Sequence, residues 1–279
     1  MLRRIVMFMS VLVLLAINAI PAIAVTDGEL DGNRHPYVVL LLMEVNGAPA
    51  FRCSGTLLSP TFLLTAGHCA GAPGEFSGMR VFTESDVEGG RGVTNNYPFA
   101  GPNSVEAIAW HAHPLYPTAS FSVHDVGVVI LQSPGVTGLS KYGTLPTANQ
   151  LDALGKKRGR QDTTFTAVGY GLQASFPDAA SWKDEASRTR YFATPHLLQI
   201  NVPGFTGDFS LLLSNNHATG GTCFGDSGGP NFIGSGPTET TIVAAVTSFG
   251  INGNCAGTGG VFRIDRQNVL DFINSYLRP

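Results

Sequence analysis

Short apolar runs separated by glycine, proline and polar turns recur along this chain. The runs 37–43, 51–58, 105–110, 126–131, 164–170, 197–202 and 241–249 are six to nine residues long, rich in Val, Ile, Leu, Thr and Phe, and bounded by turn formers. That length and composition predict strands rather than helices. Two stretches break the pattern. Near the amino terminus, Arg3 and Arg4 precede an apolar stretch over 5–20, and Pro21-Ala22-Ile23-Ala24 places small residues where a signal peptidase reads. The stretch falls short of the ~20 residues that a membrane span takes. It predicts an export signal over 1–24, cut after Ala24, with an uncleaved anchor as the competing reading. At the other end, Val269, Leu270, Phe272, Ile273, Tyr276 and Leu277 fall at helical spacing, with Asp265 placed as an N-cap, which predicts a terminal amphipathic helix from Arg266.

Composition sharpens this picture. With 34 glycines, 17 prolines and only 13% charged residues, the chain reads as all-β with long loops. The turn-rich stretch 132–145 reads as a linker between two β-rich halves, 25–140 and 141–279, and the polar stretch 171–195 as surface loops. The formal charge is -3, and removing 1–24 takes away two arginines and no acid, leaving -5. No basic field suits a nucleic acid, and the cluster Lys156-Lys157-Arg158-Gly159-Arg160 reads as a solvated loop. Four cysteines in an exported chain suggest two disulfides, with three possible pairings. No Cys-x-x-Cys spacing supports zinc, and no cofactor is expected.

Candidate chemistry lies in three segments. Gly225-Asp226-Ser227-Gly228-Gly229-Pro230 brackets a serine with glycines; Thr65-Ala66-Gly67-His68-Cys69 follows the apolar run Phe62-Leu63-Leu64; and Asp125 heads the run Val126 to Leu131. A serine hydroxyl becomes a nucleophile only when an imidazole takes its proton and a carboxylate fixes that imidazole's tautomer. His68, Asp125 and Ser227 can fill these roles, and activity would then fall in acid as the imidazole is protonated. The glycine-bracketed serine also fits the nucleophile elbow of α/β-hydrolases, where the histidine follows the serine. Here His35, His68, His111, His113, His124, His196 and His217 all precede Ser227, which excludes that fold. His111 and His113 lie two apart, as metal ligands can, but no third ligand is identifiable.

In these motifs, in this order, the chain resembles the trypsin-like serine proteases of chymotrypsin fold, over nearly all of 35–279. The resemblance implies an all-β fold of two six-stranded antiparallel β-barrels with a C-terminal α-helix, the cleft lying between His68 and Asp125 of the first barrel and Ser227 of the second. It implies disulfides Cys53–Cys69 and Cys223–Cys255, each closing a loop beside a catalytic segment and each stabilising by about 3–4 kcal/mol. It places the oxyanion hole at the backbone N–H groups of Gly225 and Ser227, and a hydrogen bond to Asp125 at Ser248. His113-Pro114-Leu115-Tyr116 matches a structural stretch of the family.

In trypsin a charged residue six before the nucleophile selects basic side chains. That position is Gly221 here, with Thr222, Gly250 and Gly260 at the wall positions, Ser248 and Phe249 beside them and Phe224 at the rim. An open, neutral slot implies cleavage after large apolar or aromatic residues. The family also locks the loop before the nucleophile through an ion pair between a freshly cut α-amine and the aspartate before the serine. Here Val25, at the expected signal cut, would pair with Asp226, although Thr26 and Asp27 replace the family's small residues. The expectation is thus a secreted serine endopeptidase acting on proteins or peptides without metal or cofactor. A catalytically silent binding homologue and an esterase on the same scaffold are the alternatives, and oligomeric state is not readable.

Overall fold

The computed structural model describes residues 25–116, 123–156, 162–173 and 187–277. The expected export signal lies outside these residues, as do 157–160 of the basic cluster and 174–186 of the expected surface loops.

Six strands close the first barrel. They are β2 (Val38–Val45), β3 (Ala48–Ser59), β4 (Phe62–Thr65), β5 (Gly78–Phe82), β6 (Ser104–Ala112) and β7 (Gly127–Leu131), in the order β2-β3-β4-β7-β6-β5 with β5 returning to β2. β2 reads as an unbroken apolar run because both of its faces are covered. Val39, Leu41 and Met43 enter the main core, while Leu40 and Leu42 pack with Phe82, Val87, Tyr97 and Tyr170. Alternate residues of one strand thereby serve two cores, the second of which takes Tyr170 from the other half of the chain.

The second half differs in detail from the expected second six-stranded barrel. It is a curled, eight-stranded antiparallel sheet. Its members are β1 (Glu29–Leu30), β8 (Phe165–Gly169), β9 (Tyr191–Ala193), β10 (Leu197–Val202), β11 (Gly207–Asn215), β12 (Pro230–Ile233), β13 (Val243–Gly250) and β14 (Gly257–Arg263), in the order β1-β9-β8-β12-β13-β14-β11-β10. The extra edge strand β1 comes from the start of the chain: Glu29 and Leu30 pair with Phe192 and Tyr191. A four-residue helix, α1 (Gly67–Ala70), follows β4, and the terminal helix α2 spans Gln267–Leu277. Val269, Leu270, Phe272 and Ile273 bury the apolar stripe of α2, while Tyr276 stacks on His111 of β6 at 4.5 Å. Asp265 does not cap this helix. Its carboxylate accepts hydrogen bonds from the Leu151 N–H (2.8 Å) and the Arg263 guanidinium (2.8–2.9 Å). The two histidines two apart each stack on another ring, His111 on Tyr276 and His113 on His124 at 4.9 Å.

A buried polar cluster ties the amino-terminal segment to the sheet. Arg190 donates to Asp31 (2.7 Å), to the Val38 carbonyl (2.8 Å) and to the Tyr170 hydroxyl (2.9 Å). His35 lies between Asp31 and Glu239; burial disfavours its charge, but hydrogen bonds to both carboxylates hold its pKa above the ordinary histidine value.

Candidate active site

Each of the three motifs ends up where a strand meets the seam between barrel and sheet. His68 sits in α1, directly after β4; Asp125 directly precedes β7, the hydrogen-bonded neighbour of β4; and Ser227 lies in the turn before β12. Backbone crosses the seam where the Ser54 N–H donates to the Ser227 carbonyl at 2.8 Å, and within the second half the Gly228 N–H donates to the Thr247 carbonyl, also at 2.8 Å. Gly228 takes a φ of +76°, and a Cβ there would stand 2.0 Å from Thr65 Oγ1 and 2.6 Å from the Ser54 carbonyl, so the approach of the two halves requires glycine.

Asp125 is buried and its carboxylate is fully engaged. It accepts from the His68 backbone N–H (2.9 Å), from His68 Nδ1 (2.9 Å to Oδ2, 3.1 Å to Oδ1) and from the Ser248 hydroxyl (2.5 Å). A carboxylate can only accept, so the network assigns the proton of neutral His68 to Nδ1 and leaves the lone pair on Nε2. His68 and Ser227 line one cleft of about 550 Å³. That is the arrangement a general base needs to reach a hydroxyl.

The loop before Ser227 is set by two anchors. Gly225 has a φ of +97°, a region closed to most side chains, and its carbonyl accepts a hydrogen bond from Ser54 Oγ at 3.1 Å. Ser54 Oγ in turn accepts the Tyr170 N–H at 3.0 Å, so the Gly225 peptide is tied through Tyr170 to the Arg190 cluster. Asp226 is the second anchor. Buried completely, it accepts the N–H groups of Gly171 and Cys223, each at 2.8 Å. Burial outweighs these two bonds and pushes its pKa up to about 7. Val25 is buried against Tyr191 and Ala193, and until the chain is cut after Ala24 its nitrogen is a peptide nitrogen without charge. The following residues are tied to the loop that leads to Ser227. The Gly221 N–H donates to the Thr26 carbonyl at 3.0 Å and the Thr26 hydroxyl donates to Asn215 Oδ1 at 2.7 Å, while Asp27 meets His217 at 2.7 Å.

Of the expected slot residues, Thr222, Phe224, Ser248, Phe249 and Gly250 line the cleft. Gly221 and Gly260 do not. Gly221 is pressed against the Asn215 side chain, and the Phe249 ring lies across Gly260 so closely that a Cβ there would stand 2.2 Å from it. Phe205, 54% exposed, joins the cleft with its ring 5.4 Å from that of Phe249, and no sequence motif announced it. Cystine bonds link Cys53 to Cys69, beside His68, and Cys223 to Cys255, the latter forming part of the cleft wall. Among the described residues the one close grouping of potential metal ligands is Cys53, His68 and Cys69, and its sulfurs are spent in a disulfide.

A family model described as Trypsin matches residues 27–273. Glandular kallikrein of Sus scrofa is 28% identical over 207 residues, covering 72% of this chain and 77% of the kallikrein. Chymase of Papio hamadryas is 25% identical over 213 residues, covering 72% and 73%. Serine protease 56 of Homo sapiens is 28% identical over 229 residues, 80% of this chain but only 34% of that longer protein. The solved structure of HL collagenase superimposes with a TM-score of 0.66 at 17% identity, covering 90% of this chain and 98% of the collagenase. Motif order, fold and the family match over nearly the whole described chain agree, and the chain belongs to the trypsin family of serine endopeptidases.

Proposed function

We propose that the protein is a secreted endopeptidase that cuts peptide bonds through His68, Asp125 and Ser227, with an acyl-enzyme intermediate. Ser227 Oγ attacks the scissile carbonyl while His68 Nε2 takes its proton. The developing oxyanion is met by the N–H groups of Gly225 and Ser227, and the proton passes from His68 to the leaving amine. Water then repeats the sequence on the acyl-enzyme. The observation that carries this reading is the buried carboxylate of Asp125 closing on His68 Nδ1 at 2.9 Å, which directs the lone pair of His68 away from the acid in a cleft shared with Ser227. Reaction with a labelled organophosphonate should place one adduct, on Ser227, with loss of proteolysis. An active protein labelled elsewhere rejects the assignment.

Specificity follows from the walls. Phe205, Phe224, Phe249 and the Cys223–Cys255 disulfide present apolar surface, and among the described residues no carboxylate lines the cleft to meet a basic side chain. Cleavage after Phe, Tyr or Leu is expected to exceed cleavage after Arg or Lys by at least about tenfold, since a charge left unpaired in such a slot costs more than about 1.4 kcal/mol. A peptide panel with best turnover after Arg or Lys overturns this.

Export with cleavage after Ala24 completes the reading, because it creates an amine at Val25 for Asp226. With Val25 blocked, Asp226 has a raised pKa, so between about 4 and about 7 the folded chain holds a proton that the unfolded chain has released. Stability of the blocked form therefore falls as pH rises through that window, and Asp226→Asn removes the slope. With the amine free, the ammonium favours the carboxylate and depresses its pKa, so the slope disappears or reverses. Thermal midpoints of free and N-acetylated chains starting at Val25, followed over this pH range, decide the matter; identical slopes exclude the ion pair.

A further inference from the structure

A second cleft, of about 580 Å³, adjoins the first, and Phe224, 42% exposed, borders both. The first cleft contains Ser227, whereas the second contains Gly225, so a carbonyl held between the Ser227 hydroxyl and the Gly225 N–H sits on their boundary. The second lies on the leaving side. His68 returns its proton to the departing nitrogen, Cys69 beside it is bonded to Cys53, and Arg52, the residue before Cys53, lines the second cleft.

Its lining is basic, against the sign of the chain's net charge. Among the described residues lining it, Arg52 and Arg91 meet one carboxylate, Glu88. Arg52 is oriented by the Tyr97 hydroxyl, with its guanidinium 5.6 Å from that ring's centre, and no carboxylate pairs with it among the described residues. Arg91 and Glu88 stand 3.7 Å apart, both well exposed, a loose pair that an incoming acid can rearrange. The whole chain carries a formal charge of -3, so its net charge does not draw acidic ligands; any attraction here is local.

Resting on the endopeptidase reading above, we infer that this cationic cleft binds the leaving segment of the substrate and selects polypeptides with Asp or Glu in the first two positions after the cut bond. The chemistry is unchanged: the Ser227 Oγ–carbon bond forms, the carbon–nitrogen bond breaks, and the serine proton ends on the departing amine. The arginines hold the departing segment before and during that step. An acid there gains contacts with guanidinium groups, whereas a lysine is repelled.

The test uses three peptides identical up to a Phe at the cut, with Glu, Ala or Lys in both positions after it, together with a nitroanilide of the same acyl part that has no leaving segment. The expected order of kcat/KM is Glu above Ala above Lys. Exposed single pairs are worth a few-fold each, so several acting together should give a Glu-to-Lys ratio of about tenfold at low salt, shrinking as ionic strength rises. Arg52→Glu should lower the ratio below one, and Arg91→Glu should narrow it; because each variant is scored by its own ratio, partial loss of folded enzyme does not affect the result. Equal rates for the three peptides in the unaltered protein, or a ratio unmoved in both variants, overturn the inference while nitroanilide turnover leaves the endopeptidase reading standing. If neither the nitroanilide nor any peptide is cut, the endopeptidase reading fails, and the inference with it.

Discussion

Replacing Ser227 with Ala is expected to lower kcat/KM by about 10⁴- to 10⁶-fold, with little change in thermal midpoint. The substitution removes only Oγ. The backbone of residue 227, whose carbonyl accepts the Ser54 N–H at 2.8 Å, keeps the seam closed. His68→Ala should cost a similar factor, and the double variant no more than the worse single one, because nucleophile and base act in the same proton transfer. Asp125→Asn should cost about 10⁴-fold for a different reason. An amide NH₂ facing His68 Nδ1 cannot accept its proton, so the imidazole turns to the tautomer that carries hydrogen on Nε2 and cannot act as base. That variant should also lose thermal stability, because the buried group must satisfy the His68 N–H and the Ser248 hydroxyl with fewer acceptors. Steady-state kinetics on one apolar peptide, with melting curves alongside, test all four variants. Costs of Ser227→Ala and His68→Ala that multiply in the double variant would mean that the two side chains work independently, and the shared proton transfer would be wrong.

How much of this was legible beforehand differs between strands and site. β2, β3, β6, β7, β8, β10 and β13 were readable because burial selects continuous or alternating apolar runs, and those runs survive in the sequence. β14 was not, since Gly257-Thr258-Gly259-Gly260 carries almost no side chains to show a pattern. It is a strand because β11 and β13 pair with it on either side, and its glycines make room for the Phe249 ring. β1 and β9, two and three residues long, are too short for any period; they exist through pairing with each other and, for β9, with β8. The second half was expected to hold six strands in a barrel, and the recruited β1 is part of the difference.

At the site, the order His68, Asp125, Ser227 was visible because each residue sits at a strand boundary with a recognisable flank. Which atoms line the cleft was not. Gly221 and Gly260 occupy matching positions along the chain, but Asn215 and the Phe249 ring cover them, and those are contacts between residues distant in sequence. Phe205 and Asn215 lacked a signal for the same reason. The Thr26 hydroxyl, donating to Asn215 Oδ1 and to the Gly221 carbonyl, fastens the amino-terminal segment to the loop before the nucleophile.

The second large effect is expected from Gly225→Ala, a change of one methyl group. At a φ of +97° an L-residue is strained wherever the methyl goes, and here it would stand 2.9 Å from the Gly171 Cα. Gly171 cannot yield freely, because its N–H is committed to Asp226 at 2.8 Å and the preceding Tyr170 N–H to Ser54 Oγ at 3.0 Å. The strain is relieved more cheaply by rotating the peptide between 224 and 225, which breaks the 2.8 Å bond from the Leu172 N–H to the Phe224 carbonyl and turns the N–H of 225 out of the oxyanion position. Loss of one such donor typically costs about 3–4 kcal/mol, so kcat should fall by about 10²- to 10³-fold. KM should change little, because the donor acts chiefly on charge that develops in the transition state. A peptide aldehyde, whose adduct with Ser227 carries the same oxyanion, should lose affinity in step with kcat, whereas a substrate-like peptide lacking a reactive carbonyl should bind as before. Unchanged kcat and aldehyde affinity would show that the N–H of residue 225 does not face the reacting oxygen.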